Sequence, residues 1–289
     1  MLPQLPIPPE EWLINTNDEF RKLELPAGER PFRALERWAE QNDQSGPRFN
    51  LLLSHLSTAA FAAIYAFFKE HTSLGREHAA PFRQTCFLYD TAFWPVIVPM
   101  IYGQCTVDPI RFVVGMPPAL FTHLGWNSTA RDELDAHWFD CEHQMNRQRF
   151  IDDANVPELA REFLAGGEKA LLAAAESLLA VPPNQKAGEL SRDAFESTLK
   201  GLAVVKAGLS AERARKRISH DLRLVVQECA GALPTAECAR LEKAPPLYPT
   251  VGARYEKGAL ASQRLWECYR EAQHAMAVSL RIIAGELMP

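Results

Sequence analysis

Residues 211–223, AERARKRISHDLR, set one histidine, His220, among five basic side chains: Arg213, Arg215, Lys216, Arg217 and Arg223. An imidazole can take or give a proton near pH 7, and guanidinium groups grip phosphate oxygens two at a time. That combination is what acid–base cleavage of RNA requires, because the ribose itself supplies the attacking oxygen. The plainer reading is a solvated, arginine-rich helix face on which a lone histidine does nothing. With Glu212 and Asp221 counted, the local charge is +3 in a chain whose formal net charge is −5. Residues 1–150 carry 13 basic and 18 acidic side chains, and residues 151–289 carry 18 of each. Any nucleic-acid surface is therefore a local patch in the second half, not a property of the whole chain.

The elements that must position this patch read as helices. Ser210 is a good N-cap, Glu212 falls in the first turn where the helix dipole favours an anion, and Gly231 is placed to end the helix. Ala211, Ala214, Ile218, Leu222, Val225 and Cys229 recur at three- and four-residue steps and predict one continuous helix with a narrow buried stripe. His220 lies roughly 200° round from Ile218 and points outward with the arginines. A helix over Ser191–Leu209 precedes it, with Phe195, Leu199, Leu202 and Val205 inward, and the two join at Gly208-Leu209-Ser210. Upstream, Pro157 suits a first turn, and Glu158–Ala180 predicts an amphipathic helix through Leu159, Phe163, Ala170, Ala174 and Leu178, bent at Gly166-Gly167. Val181–Leu190 and Pro245–Gly258, with Arg254 and Tyr255, read as loops. A last helix over about 259–287 carries Leu265, Tyr269, Ala272, Met276, Leu280, Ile283 and Leu287 at heptad-like spacing. Four helices in this order predict an antiparallel four-helix-type bundle over residues 155–289.

Residues 192–231, with the helix AFESTLKGLAVVKAGLS followed by AERARKRISHDLRLV and its His-Asp-Leu, resemble the central helical hairpin of the HEPN superfamily. These are small helical bundles of prokaryotic defence and toxin–antitoxin systems. The family's catalytic signature is Arg-x4–6-His, and Arg215 to His220 fits its shortest form. The resemblance implies a metal-independent endoribonuclease that needs no cofactor and leaves 2′,3′-cyclic phosphate ends. In it Arg215 and His220 would be catalytic, Arg213, Arg217 and Arg223 would bind phosphate, and Arg217 would be a second candidate for the catalytic arginine. It also implies a homodimer, since such sites assemble across two copies. The family includes non-catalytic members, so the alternative is a helical dimerisation or partner-binding module whose arginines pair with Glu212 and Asp221. The resemblance extends over about residues 155–287.

The first half predicts a helical, loop-rich region, so the chain as a whole reads as predominantly α. Residues 1–31 hold six prolines and read as an extended arm with at most a short helix at Glu10–Asn15. Residues 32–152 read as a helical domain, bounded at Asp152–Pro157, that begins with a helix over Phe32–Gln41. Phe49–Phe68 carries no formal charge across twenty residues, but Asn50, Ser54, His55, Ser57 and Thr58 crowd its first half. It reads as a buried core helix, with His55 a hydrogen-bonded core residue, rather than a membrane span. Pro95 and Pro99 forbid an undisturbed helix in FWPVIVPM, and residues 81–125 read as buried loops. Over the helix at 129–150, His137, Cys141 and His143 lie close in sequence by chance, and Asp132, Asp135, Asp140 and Glu142 read as a solvated face.

No G-x-G-x-x-G, Walker loop or G-x-S-x-G occurs, and the nucleotidyltransferase Gly-Ser and Asp-x-Asp pattern is absent. Six scattered cysteines without C-x-x-C pairs fit reduced thiols in a cytoplasm, where Asn127-Ser128-Thr129 has no glycosylation role. No basic region leads into an apolar stretch at the N-terminus, so a secretory signal is not expected.

Overall fold

The computed structural model describes residues 5–25, 27, 29–42, 58–72, 82–99, 106–151, 156–214, 220–250 and 260–288. It is predominantly helical with one two-stranded sheet. The chain divides into two compact units, Met1–Gln84 with Trp94–Asp135, and Thr85–Phe93 with Ala136–Pro289. The division falls inside a helix, upstream of the boundary expected at Asp152–Pro157.

In the first unit α1 (Glu10–Lys22) replaces most of the expected arm. Its acidic first turn and basic last turn match the helix dipole. The periodicity was hidden because two of its buried positions, Thr16 and Asn17, are polar beside Leu13 and Phe20. α2 (Arg30–Gln41) opens with Pro31 in its first turn, where a missing N–H costs nothing. α3 (Ala59–His71) starts where Thr58 Oγ1 accepts from Phe61 N at 3.3 Å. It is shorter and later than the helix expected over Phe49–Phe68; residues 49–57, with His55, lie outside the described ones. Rings join the three helices: Trp12 to Trp38 at 4.8 Å, Phe32 to Phe61 at 5.7 Å and Phe20 to Phe68 at 6.4 Å. Among the described residues no helix is long and apolar enough to cross a membrane.

The expectation of buried loops over 81–125 is corrected by a hairpin, β1 (Phe82–Tyr89) and β2 (Ala92–Pro99). Asp90 and Thr91 both take positive φ, 50° and 64°, as a two-residue type I′ turn demands. Glycine or asparagine usually marks such a turn, and neither is present here. Val113 bridges to Val96 and Val114 N donates to Pro95 O at 2.8 Å. A 3-10 turn at Pro109–Phe112 and α4 (Pro118–Trp126) follow, then α5 (Ser128–Ile151), close to the helix expected at 129–150.

The second unit is built on α7 (Lys186–Ala207), which packs against α6 (Glu158–Leu179), α8 (Leu222–Cys229) and α10 (Ser262–Ile283). α7 is buried almost all round and ends at Gly208, whose φ of 64° is the left-handed conformation glycine adopts at least cost. Glycines set the α6–α7 approach. A Cβ on Gly201 would meet Leu164 Cγ at 2.8 Å, and one on Gly167 would meet Thr198 Oγ1 at 2.7 Å. Gly167 therefore serves close packing inside one continuous helix. The buried seam of α6 is Ala160, Leu164, Gly167, Leu171, Ala174 and Leu178, one residue out of phase with the expected stripe over its first half. Its small residues carry little hydropathy, so Leu159 and Phe163 drew the stripe toward a half-buried face.

The continuous helix expected over 211–229 is also corrected. Ser210 does cap a helical turn, Ala211–Arg213, accepting from Arg213 N at 3.2 Å. A second start lies at Asp221, in extended conformation, whose carboxylate accepts from Arg223 N at 3.0 Å and Leu224 N at 3.3 Å. Aspartate offers the backbone this alternative to helix continuation. Residues 215–219 lie outside the described ones. A short helix α9 (Thr235–Leu241), not expected from the sequence, packs against α10.

Candidate functional site: the His220 groove

Three charged residues of α7, Arg192, Glu196 and Lys200, follow one another at four-residue steps and so share one helix face. Their side chains are almost fully buried, 8–9% exposed. Burial on this scale is tolerable only for paired charges. Lys200 Nζ donates to Glu196 Oε1 at 2.7 Å, and Arg192 Nη1 lies 3.6 Å from Glu196 Oε2. The same carboxylate receives His220, whose Nδ1 stands 3.1 and 3.2 Å from its two oxygens. Arg192 Nη2 also donates to the His220 backbone carbonyl at 2.5 Å. The ring is thus held from α7 at both its side chain and its main chain.

His220 is nonetheless 66% exposed at its side chain. A carboxylate only accepts, so Nδ1 carries the hydrogen facing Glu196 and Nε2 of the neutral ring is left as an acceptor. Beside the ring opens a groove of about 430 Å³. Leu159, Glu162 and Phe163 of α6 form one wall. Lys200, Ala211 and Ala214 complete it with His220. The Lys200 ammonium stands 6.0 Å from the Phe163 ring centroid. A proton acceptor and the Lys200 cation therefore meet at one open cleft, and the buried Glu196 carboxylate orients the first and pairs with the second.

The other sequence-expected site residues are placed unevenly. Arg215 and Arg217 lie outside the described residues, as does Lys216. Arg213 turns to Glu228, donating from Nη2 to Oε1 at 2.5 Å. Its partner is neither Glu212 nor Asp221, the acids considered from sequence. Arg223 is exposed at the start of α8. Sequence reasoning missed Arg192, Glu196 and Lys200, although their i, i+4, i+8 spacing with alternating sign was the signal available.

A second histidine cluster lies elsewhere in this unit. His274 Nδ1 is 2.9 Å from Asp140 Oδ2 and its Nε2 is 2.7 Å from Glu237 Oε2. Asp140 therefore leaves the solvated face expected for it. Burial pulls the imidazole pKa down, but the hydrogen bonds the ring donates to Asp140 and Glu237 outweigh it and raise it to about 9. Hydrogen bonding to His274 holds Glu237 below the usual carboxylate range, against its own partial burial. Arg240 bonds both oxygens of Glu271 beside them, at 2.9 and 3.1 Å.

His137 and Cys141 do share a face, with Nε2 and Sγ 3.7 Å apart, but both are buried in the core. Thr85 Oγ1 lies 3.0 Å from His137 Nε2 and 2.7 Å from Tyr269 OH. Among the described residues no group of three or more His, Cys, Asp or Glu side chains is placed to hold a metal ion.

Comparison with known protein families, with curated proteins and with solved structures finds no match for this chain.

Proposed function

We propose that the second unit is a HEPN-like, antiparallel four-helix-type bundle that binds RNA and cleaves it without a metal. The observation carrying this reading is the His220–Glu196 pair: an exposed imidazole, fixed at Nδ1 by a buried carboxylate, turned toward a groove. His220 Nε2 takes the proton of a ribose 2′-OH as O2′ attacks phosphorus. The P–O5′ bond breaks, and the leaving oxygen takes a proton from solvent or from the His220 imidazolium of a second copy. Products carry 2′,3′-cyclic phosphate and 5′-hydroxyl ends. Arg215 stabilises charge building on the phosphoryl oxygens, with Arg217 as the alternative, while Arg213 and Arg223 hold the backbone. A homodimer is part of the proposal, because the resembling family builds its sites across two copies. A prokaryotic defence or toxin–antitoxin setting is the corresponding context.

The Arg213–Glu228 pair favours a second reading, in which the patch is internally neutralised and the unit is a dimerisation or partner-binding module. Incubating the full chain with mixed RNAs in excess EDTA separates the two. The nuclease reading expects cyclic-phosphate ends, and a loss of about 10²–10⁴-fold in His220→Ala and Arg215→Ala with folding retained. Undiminished cleavage in both variants, or none by the folded wild-type chain, rejects it.

A further inference from the structure

Leu159, Glu162 and Phe163 stand at i, i+3 and i+4 on α6, one face of the helix, and all three border the His220 groove. None of this wall is used by the chemistry proposed above. Leu159 and Phe163 are half-buried and offer an apolar, partly aromatic surface. Glu162 is exposed beside them and forms no hydrogen bond or ion pair with another described residue. This contrasts with Glu196, whose oxygens are taken by the groove residues Lys200 and His220. A groove of about 430 Å³ is within the range that takes a small ligand. Apolar, partly aromatic surface beside a cation, here Lys200, is a combination that suits single-stranded nucleic acid, where bases rest on rings and the backbone follows positive charge.

We propose that this wall is a base-selective subsite, in which Leu159 and Phe163 support a nucleobase and Glu162 selects guanine. A carboxylate presents two acceptor oxygens side by side and no donor. Of the four Watson–Crick edges only that of guanine presents two adjacent donors, N1–H and the N2 amino group. Adenine and cytosine offer one donor next to a ring-nitrogen acceptor. Uracil offers one N–H between two carbonyls. Each of those three sets an acceptor against a carboxylate oxygen. The substrate class is therefore single-stranded RNA with guanine beside the scissile phosphate. The inference rests on the ribonuclease reading for its substrate, but its binding component stands apart from cleavage.

Calorimetric titration of the full chain with 3′-GMP, 3′-AMP, 3′-CMP and 3′-UMP in EDTA tests it. The expected result is 3′-GMP binding about tenfold or more tighter than the others, the discrimination a bidentate contact gives. Glu162→Gln, a surface change that leaves folding intact, brings the four within about twofold of one another. Phe163→Ala weakens all four by about tenfold, as loss of a stacking surface does. Equal affinities in the wild type, no binding of any of the four, or a guanine preference that survives Glu162→Gln each overturn the subsite. RNA cleavage with no base preference overturns it while leaving the nuclease reading intact. A guanine preference lost in Glu162→Gln, with no RNA cleaved, upholds the subsite and rejects the nuclease.

Discussion

Two histidines of the second unit contact carboxylates in opposite settings. His274 is 9% exposed at its side chain, with a carboxylate on each ring nitrogen. His220 is 66% exposed and meets one carboxylate through Nδ1 alone. A ring with both nitrogens engaged in a nearly closed space is a fixed imidazolium, a structural cation joining α5, α9 and α10. A ring with one nitrogen held and the other facing a groove is oriented yet still able to exchange a proton. The number of carboxylates and the access of water, rather than residue type, separate the two settings.

The largest effect that would break this contrast is on stability. His274→Ala leaves Asp140 and Glu237 facing each other without the cation between them, and is expected to cost about 3–5 kcal/mol in denaturant unfolding. A cost below about 1 kcal/mol would show that the imidazolium is not holding the helices together.

The pH dependence comes next. His274 has a folded pKa raised to about 9 from 6.5, so its contribution is fully present below pH 6.5 and is lost as pH rises through 9. The full loss amounts to about 3 kcal/mol. Unfolding measured between pH 6 and 10 should show that decline in the wild type, and His274→Ala should flatten it.

A smaller effect sharpens the comparison from the other side. Gly201 adjoins Lys200, and a Cβ there would meet Leu164 Cγ at 2.8 Å and Ala160 O at 3.3 Å. Gly201→Ala should cost roughly 1–3 kcal/mol by overpacking, reduced by about 1 kcal/mol of helix propensity. It should disturb the His220 groove between α6 and α7 and leave the His274-linked pH decline unchanged. The smallest expected change is in His220→Ala. Glu196 keeps Lys200 and Arg192, so unfolding should shift by less than about 0.5 kcal/mol, as for other surface positions.

What could be read from the sequence depended on whether a local signal matched its tertiary use. Gly208 and Ser210 punctuate the chain by backbone conformation and capping, and both act where expected. The α10 stripe is apolar along its length, and Leu265, Tyr269, Ala272, Met276 and Leu280 are buried as predicted. The hairpin was missed because Asp90-Thr91 lacks the glycine that signals a type I′ turn, and α1 because polar Thr16 and Asn17 sit on its buried face. The break at Asp221 was hidden by the apolar spacing from Ala214 to Leu222, which runs through it. At the site, His220 was identified from its own cationic neighbours. The residues that position it, Glu196 and Arg192, lie 24 and 28 residues upstream, and only folding brings them to it.

The proposed chemistry depends on which nitrogen of His220 faces the groove. Long-range nitrogen–proton correlation spectra of the His220 ring, recorded at a pH where it is neutral, read that directly. The expected ring is protonated at Nδ1, toward Glu196, with Nε2 bare. A ring protonated at Nε2 would leave the groove without its proton acceptor and contradict that chemistry.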